Sequence, residues 1–151
     1  MRYRTRCAVR WPRRPAPERW LRVPIDFHID RSRGLVVTEA VGTVDVADIA
    51  EHIKRLTNTP DRPPREIADF SSQVRLTLAP AVARSAARAL AAVDGGDEGS
   101  RLALVARSDG VFATLRVFGA HRQEGGLEVR VFREREPALR WLGVAPDAGQ
   151  R

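Results

Sequence analysis

Three histidines, one cysteine and a scatter of serines and carboxylates are what this chain offers for acid–base, nucleophilic or metal chemistry. His28 lies on the polar side of the alternating run Ile25-Asp26-Phe27-His28-Ile29-Asp30, which turns it outward. His52 stands four residues after Asp48, a spacing that puts both on one side of a helix and could seed a metal pair, but no third ligand is in register. His121 sits near the end of a helical segment, where the dipole favours positive charge. The patterning predicts all three as surface residues. The chain holds no H-E-x-x-H, no G-x-S-x-G and no G-x-x-x-x-G-K. Cys7 alone can form neither an intrachain disulfide nor a multi-cysteine zinc site, and a single cysteine suits the reducing cytoplasm. These residues predict a non-enzymatic protein with no metal and no cofactor.

Two groups fall where open α/β sheets place ligands, beyond the C-terminal ends of strands. One is Asp69. The other is Arg107, Ser108 and Asp109, which precede a helix N-terminus able to hold an anion. Simple capping of that helix by Ser108 or Asp109 is the competing reading. The apolar helix face Val111, Phe112, Leu115 and Phe118 could line a lipid pocket or pack in the core.

The elements that must position these residues follow from periodicity. Pro24–Asp30 and Leu35–Val41 read as two strands joined by the turn Arg31-Ser32-Arg33-Gly34, hence an antiparallel hairpin. Gly42 and Thr43 end the second strand. A helix is predicted from about Asp45, its cap, to Leu56, with Val46, Ile49, Ala50, Ile53 and Leu56 on the inner face. Arg65–Phe70 is a short strand after the proline-rich loop 57–64. The next helix opens near Thr77, with Val82, Ala86, Ala89, Leu90 and Val93 inward, Arg84 and Arg88 outward, and Gly95-Gly96 as its stop. Arg101–Ala106 (RLALVA) is an apolar run with little alternation, as in a central parallel strand covered on both faces. A helix capped at Ser108 or Asp109, a strand Leu127–Phe132, and a helix from Pro137 to Gly143 complete the order.

The fold class is α/β, a single domain of order β-β-α-β-α-β-α-β-α. Its sheet is mixed and five-stranded, an N-terminal antiparallel hairpin followed by mainly parallel strands, with about four helices. The domain is expected over residues 23–144, with residues 145–151 as a frayed tail.

The net charge of +7 has one source. Residues 1–22 contain eight arginines and a single acid, Glu18, which leaves 18 basic and 18 acidic residues in the rest of the chain. The body therefore has no basic face implied by its balance, and nucleic acid is expected only through this arm. Pro12, Pro15 and Pro17 break any helix there, so disorder is expected. A solvated tail, a binding arm and a mis-assigned start, with the true one near Val23, are the three readings. No apolar run approaches the roughly 18–20 residues of a membrane span.

The hairpin IDFHIDRSRGLVVTEAVGTVDVADI, the strand REIADFSS, the strand RLALVARSDGVF and the ending VRVFREREPALRWLG together carry a resemblance. Over about residues 24–143 the chain resembles the STAS proteins, the sporulation anti-sigma-factor antagonists, and their branch likened to CRAL-TRIO lipid carriers. The resemblance implies a partner loop in which Ser71 or Ser72, after Asp69, would be phosphorylated, adding about −2 charge. Phe70 intervenes between Asp69 and the serines, and no glycine follows them, so the antagonist pattern is not fully met. The expected function is non-enzymatic binding of a protein partner, through Asp69, Ser71, Ser72 and the helix surface at Arg84 and Arg88. A carrier of an apolar small ligand is the alternative.

Overall fold

The computed structural model describes residues 23–93 and 99–146. The arm of residues 1–22, the glycine pair Gly95-Gly96 and the tail from residue 147 onward lie outside the described residues. So do the side chains of Leu90 and Val93.

The hairpin forms as its alternation demands. β1 (Ile25–Asp30) pairs antiparallel with β2 (Leu35–Ala40), Ile25 opposite Ala40 and Asp30 opposite Leu35. Gly34 takes φ +59° to close the turn, a conformation glycine adopts without penalty. From β2 the sheet grows by parallel crossovers through β4 (Arg65–Asp69), β6 (Arg101–Val105) and β7 (Glu128–Phe132). The strand order is β1-β2-β4-β6-β7. This is the mixed five-stranded sheet expected, with four α-helices among the described residues.

A second, two-stranded parallel sheet was not expected. β3 (Gly42–Val44) pairs with β5 (Val74–Leu76). Gly42, at φ +72°, turns the chain away from β2 and starts β3, rather than simply ending the strand. Val74 and Leu76 are half-buried around the exposed Arg75, but three residues are too few to announce a period.

Two helix faces also differ from expectation. α1 (Val46–Thr57) opens at Asp45 through a capping box with Asp48, each side chain accepting the other's backbone N–H. Its buried residues are Ile49, His52 and Leu56, with Ile53 packed beside them, whereas Val46 and Ala50 are exposed. In α2 (Pro80–Val93) the buried positions are Ala83 and Ala87, both fully enclosed, while Val82 is 45% exposed. Small side chains let α2 lie close against α3 (Asp109–Arg122). α4 (Arg135–Leu142) begins two residues before Pro137, which the first turn tolerates, and ends at Gly143 with φ +71°.

β6 shows why its sequence is apolar from Leu102 to Val105. Leu102 and Leu104 point to one core, with Ile49, Ala83, Leu115 and Phe118 of α1, α2 and α3. Ala103 and Val105 point to the other, with Leu139 and Leu142 of α4. Three helices thus cover one face and a single helix the other. Trp141 seals the rim of the α4 side, its ring 5.8 Å from Phe132 and under the guanidinium groups of Arg101 and Arg130. Among the described residues no helix is long and apolar enough to cross a membrane.

Candidate functional site

The residues singled out from the sequence gather at the C-terminal edge of the parallel strands, and most are engaged in holding loops. Asp69 accepts the Ser71 backbone N–H at 2.8 Å, and Arg135 reaches its other oxygen at 3.3 Å from the start of α4. Ser72 Oγ donates to the Ala40 carbonyl at 2.9 Å, which ties the loop to the end of β2. Ser71 is half-buried and Ser72 exposed. Ser108 is the N-cap of α3, its hydroxyl accepting from Val111 N at 3.4 Å. Asp109 accepts from Arg133 at 2.7 Å, and the same guanidinium donates to the Arg107 carbonyl and lies 3.9 Å over the Phe112 ring. Arg107 pairs loosely with Glu134 at 3.6 Å. Two carboxylates therefore stand beside the α3 N-terminus, which offsets its attraction for an anion. Arg84 and Arg88 are exposed, and Arg88 lies 3.8 Å from Glu124.

A different constellation lies inside the domain. α2 packs on α3, whereas α1 leans on β1, and a cavity of about 70 Å³ remains under α1 and α3. Liquid water occupies roughly 30 Å³ per molecule, so the enclosed part takes a few heavy atoms. Ile25, Ile49, Ile53, Leu115 and Phe118 supply apolar wall. The lining continues to Pro64 and Arg101, both exposed, so the cavity meets the surface at the N-terminal ends of β4 and β6. That is the end of the sheet opposite the serine loop.

One wall of this cavity is polar. Glu66 on β4 accepts from Thr38 Oγ1 of β2 at 2.7 Å and meets His52 Nε2 of α1 at 3.1 Å, both at the same oxygen, Oε1. The His52 side chain is 9% exposed and that of Glu66 16%. The Phe27 ring meets the imidazole edge-on at 5.7 Å, and Arg55 stacks on Phe27 while donating to the Ile25 carbonyl. α1 is thus pinned to the hairpin through one imidazole and one guanidinium. Arg122, 5% exposed, lines the cavity from the end of α3.

His52 corrects the sequence reading, which put it on the polar side of its helix. Its Asp48 neighbour is occupied in the capping box, and the imidazole turns inward to Glu66. The expected core face Phe112, Leu115 and Phe118 does pack in the core: Leu115 and Phe118 border the cavity, and Phe112 packs at the edge of the same cluster with Arg133 over its ring. His28 is exposed as expected, and His121 stands near the end of α3, 3.3 Å from Glu124. Thr38 and Glu66 were not foreseen. Their signal was present: both lie on the strand face shared with Val36 and Ala68, which a sheet covered on both sides must bury.

No known family model matches the chain, and no curated protein matches it in sequence. Among solved structures it is similar to an uncharacterised protein of the DUF3478 family, with a SpoIIAA-like fold, from Shewanella loihica PV-4. The two agree with a TM-score of 0.51 at 21% identity, over 78% of this chain and 93% of that one. The fold is therefore SpoIIAA-like, and the domain is STAS-like in architecture.

Proposed function

We propose that this STAS-like domain is a non-enzymatic binding module whose ligand is a small, largely apolar molecule held between the sheet and helices α1 and α3. The observation that carries this reading is the cavity itself. Protein interiors are packed to crystal density, and a void lined by isoleucine, leucine and phenylalanine costs stability unless it is used. The serine edge supports a switch less well, because Ser72 and Asp69 are engaged in holding their own loop.

Native mass spectrometry of the protein purified from its own cells tests the proposal. A retained small molecule is expected, and it should be lost from an Ala68→Leu variant, whose larger side chain enters the cavity wall. A clean apo mass, with no thermal stabilisation by small apolar compounds, would argue that the void is only a packing defect.

A second reading has one observation of its own. Arg84 and Arg88, four residues apart, are neighbours on an exposed flank of α2, which suits a protein partner with an acidic face. Affinity capture with wild type and with an Arg84→Glu, Arg88→Glu pair checks it: a partner retained by both would place recognition elsewhere.

A further inference from the structure

We infer that the free edge of β7 is a docking site for an extended segment of a partner protein in which apolar and acidic residues alternate. The surface is distinct from the cavity and from the Arg84–Arg88 flank, and the inference rests on neither reading above. β7 ends the sheet and is paired on one side only, with β6. In a parallel ladder, successive residues point their backbone groups to opposite sides. The Glu128 N–H donates to the Ser100 carbonyl, and the Phe132 carbonyl accepts from Ala106, so Glu128, Arg130 and Phe132 face β6. Val129 and Val131 therefore turn their N–H and C=O groups to the open edge. Of these groups only the Val129 carbonyl is engaged among the described residues, by the Gln123 side-chain amide at 3.1 Å. That amide does at one position what a neighbouring strand would do along the edge. An unpaired edge of this kind is a template for another strand.

The ground beside the edge suits side chains of two kinds. On the α3 side lies an open groove of about 430 Å³, lined by Phe112, Gly119, Ala120, Val129 and Val131 together with Arg116 and Arg130. Its wall is thus mostly apolar, and Gly119 and Ala120 keep the helix side low. Every second side chain of an added strand would point into this groove, and the others to the opposite face. On that opposite face Arg130 lies over the Trp141 ring of α4. Charge decides what the polar half of the partner must be. Arg116 and Arg130 are both exposed, and neither meets a carboxylate among the described residues. The acids close to them in sequence are already engaged, Glu124 by His121 and Arg88, and Glu128 by Arg101 at 2.8 Å. The edge therefore presents two uncompensated guanidinium groups, which attract an acidic strand and repel a basic one.

Two short capped peptides make the test, one alternating valine with glutamate and one alternating valine with lysine, each titrated into the full chain. The glutamate peptide should bind about tenfold more tightly, and an Arg116→Glu, Arg130→Glu pair should abolish or reverse that preference. N-methylated forms of the glutamate peptide test strand addition without altering the protein. Methyl groups on one alternate set of residues should abolish binding, and on the other set should leave it intact. In NMR spectra the Val129 and Val131 N–H resonances should move downfield and resist exchange when the peptide is bound, whereas those of Phe27 and Ile29 in β1 should not. Binding of neither peptide, equal affinity for the two, or tolerance of methylation on both sets overturns the proposal. Protection of the Val129 and Val131 N–H groups in a dimer of the chain alone overturns it as well, and assigns the edge to self-pairing.

Discussion

The two faces of the central sheet are built to different standards. The centre of the α4 face is apolar: Leu35, Val37, Ile67, Ala103 and Val105 meet Ala138, Leu139 and Leu142, none more than 2% exposed. The face under α1, α2 and α3 has more helix but poorer closure. It holds a buried histidine, a threonine and a carboxylate, and it encloses a cavity. One helix with matched side chains thus fills its face better than the three helices that leave this cavity. The difference predicts that truncations on the α4 side cost more stability than truncations on the cavity side.

The contrast is testable by truncation. Leu142→Ala, on the closed face, should cost about 3–4 kcal/mol, because neighbours packed at full density cannot collapse into the space. Ile49→Ala, on the cavity face, should cost nearer about 2 kcal/mol, since one side of Ile49 already borders a void and has fewer contacts to lose. Urea unfolding of both variants measures the gap. Equal losses would mean that the cavity closes in solution and the two faces are alike.

The next effect comes where the helical layer does touch the sheet closely. A Cβ built on Gly119 of α3 would lie 2.9 Å from Cγ1 of Val129 on β7. Gly119→Ala should therefore destabilise by about 1–3 kcal/mol despite alanine's better helix propensity. A stabilised Gly119→Ala protein would show that α3 can move outward, and that looseness is general to this face. A Gly119→Ala, Val129→Ala double variant should recover part of the overpacking loss.

Smaller again is the polar wall. Thr38→Val keeps shape but removes one donor to Glu66 and should cost about 1–2 kcal/mol. Ser72→Ala, at the opposite edge, removes a partly exposed bond to the Ala40 carbonyl and should cost about 0.5–1 kcal/mol. If the order reverses in thermal melts, the serine loop and not the cavity wall is the more tightly held region.

How much of this was legible depends on side-chain size and polarity. The alternating run Ile25–Asp30 and the apolar run in Arg101–Val105 declare their burial, so element order and fold class were readable. In α2 Val82 and Ala89 were read inward in place of Ala83 and Ala87, because alanine is a weak hydrophobic marker and Val82 drew the stripe toward itself. His52 and Glu66 were missed for a related reason: periodicity treats a polar residue as outward, whereas here each satisfies the other inside. Asp69 and Ser108 were correctly placed at strand and helix ends, yet their bonds to Arg135 and Val111 depend on tertiary geometry. β3 and β5, at three residues each, carry no usable period.

The smallest expected effect concerns pH and lies far from the cavity, in the β1–β2 turn. Asp30 accepts from Ser32 Oγ at 2.6 Å and from the Arg33 side chain at 2.7 Å and backbone at 3.2 Å. Hydrogen bonds from Ser32 first, then Arg33, hold its carboxyl below the ordinary value of 3.8, at about 2. A carboxylate whose pKa is lowered by folding adds stability that is fully present above the unfolded value and lost as pH falls toward the folded one. The contribution is therefore intact at neutral pH and fades between about pH 4 and pH 2. Asp30→Asn should flatten the acid limb of the stability curve within that window and leave its shape near neutrality unchanged. Urea titrations at pH 5 and pH 2.5 compare the two slopes. An acid limb as steep in Asp30→Asn as in wild type would show that acid sensitivity does not originate in this turn.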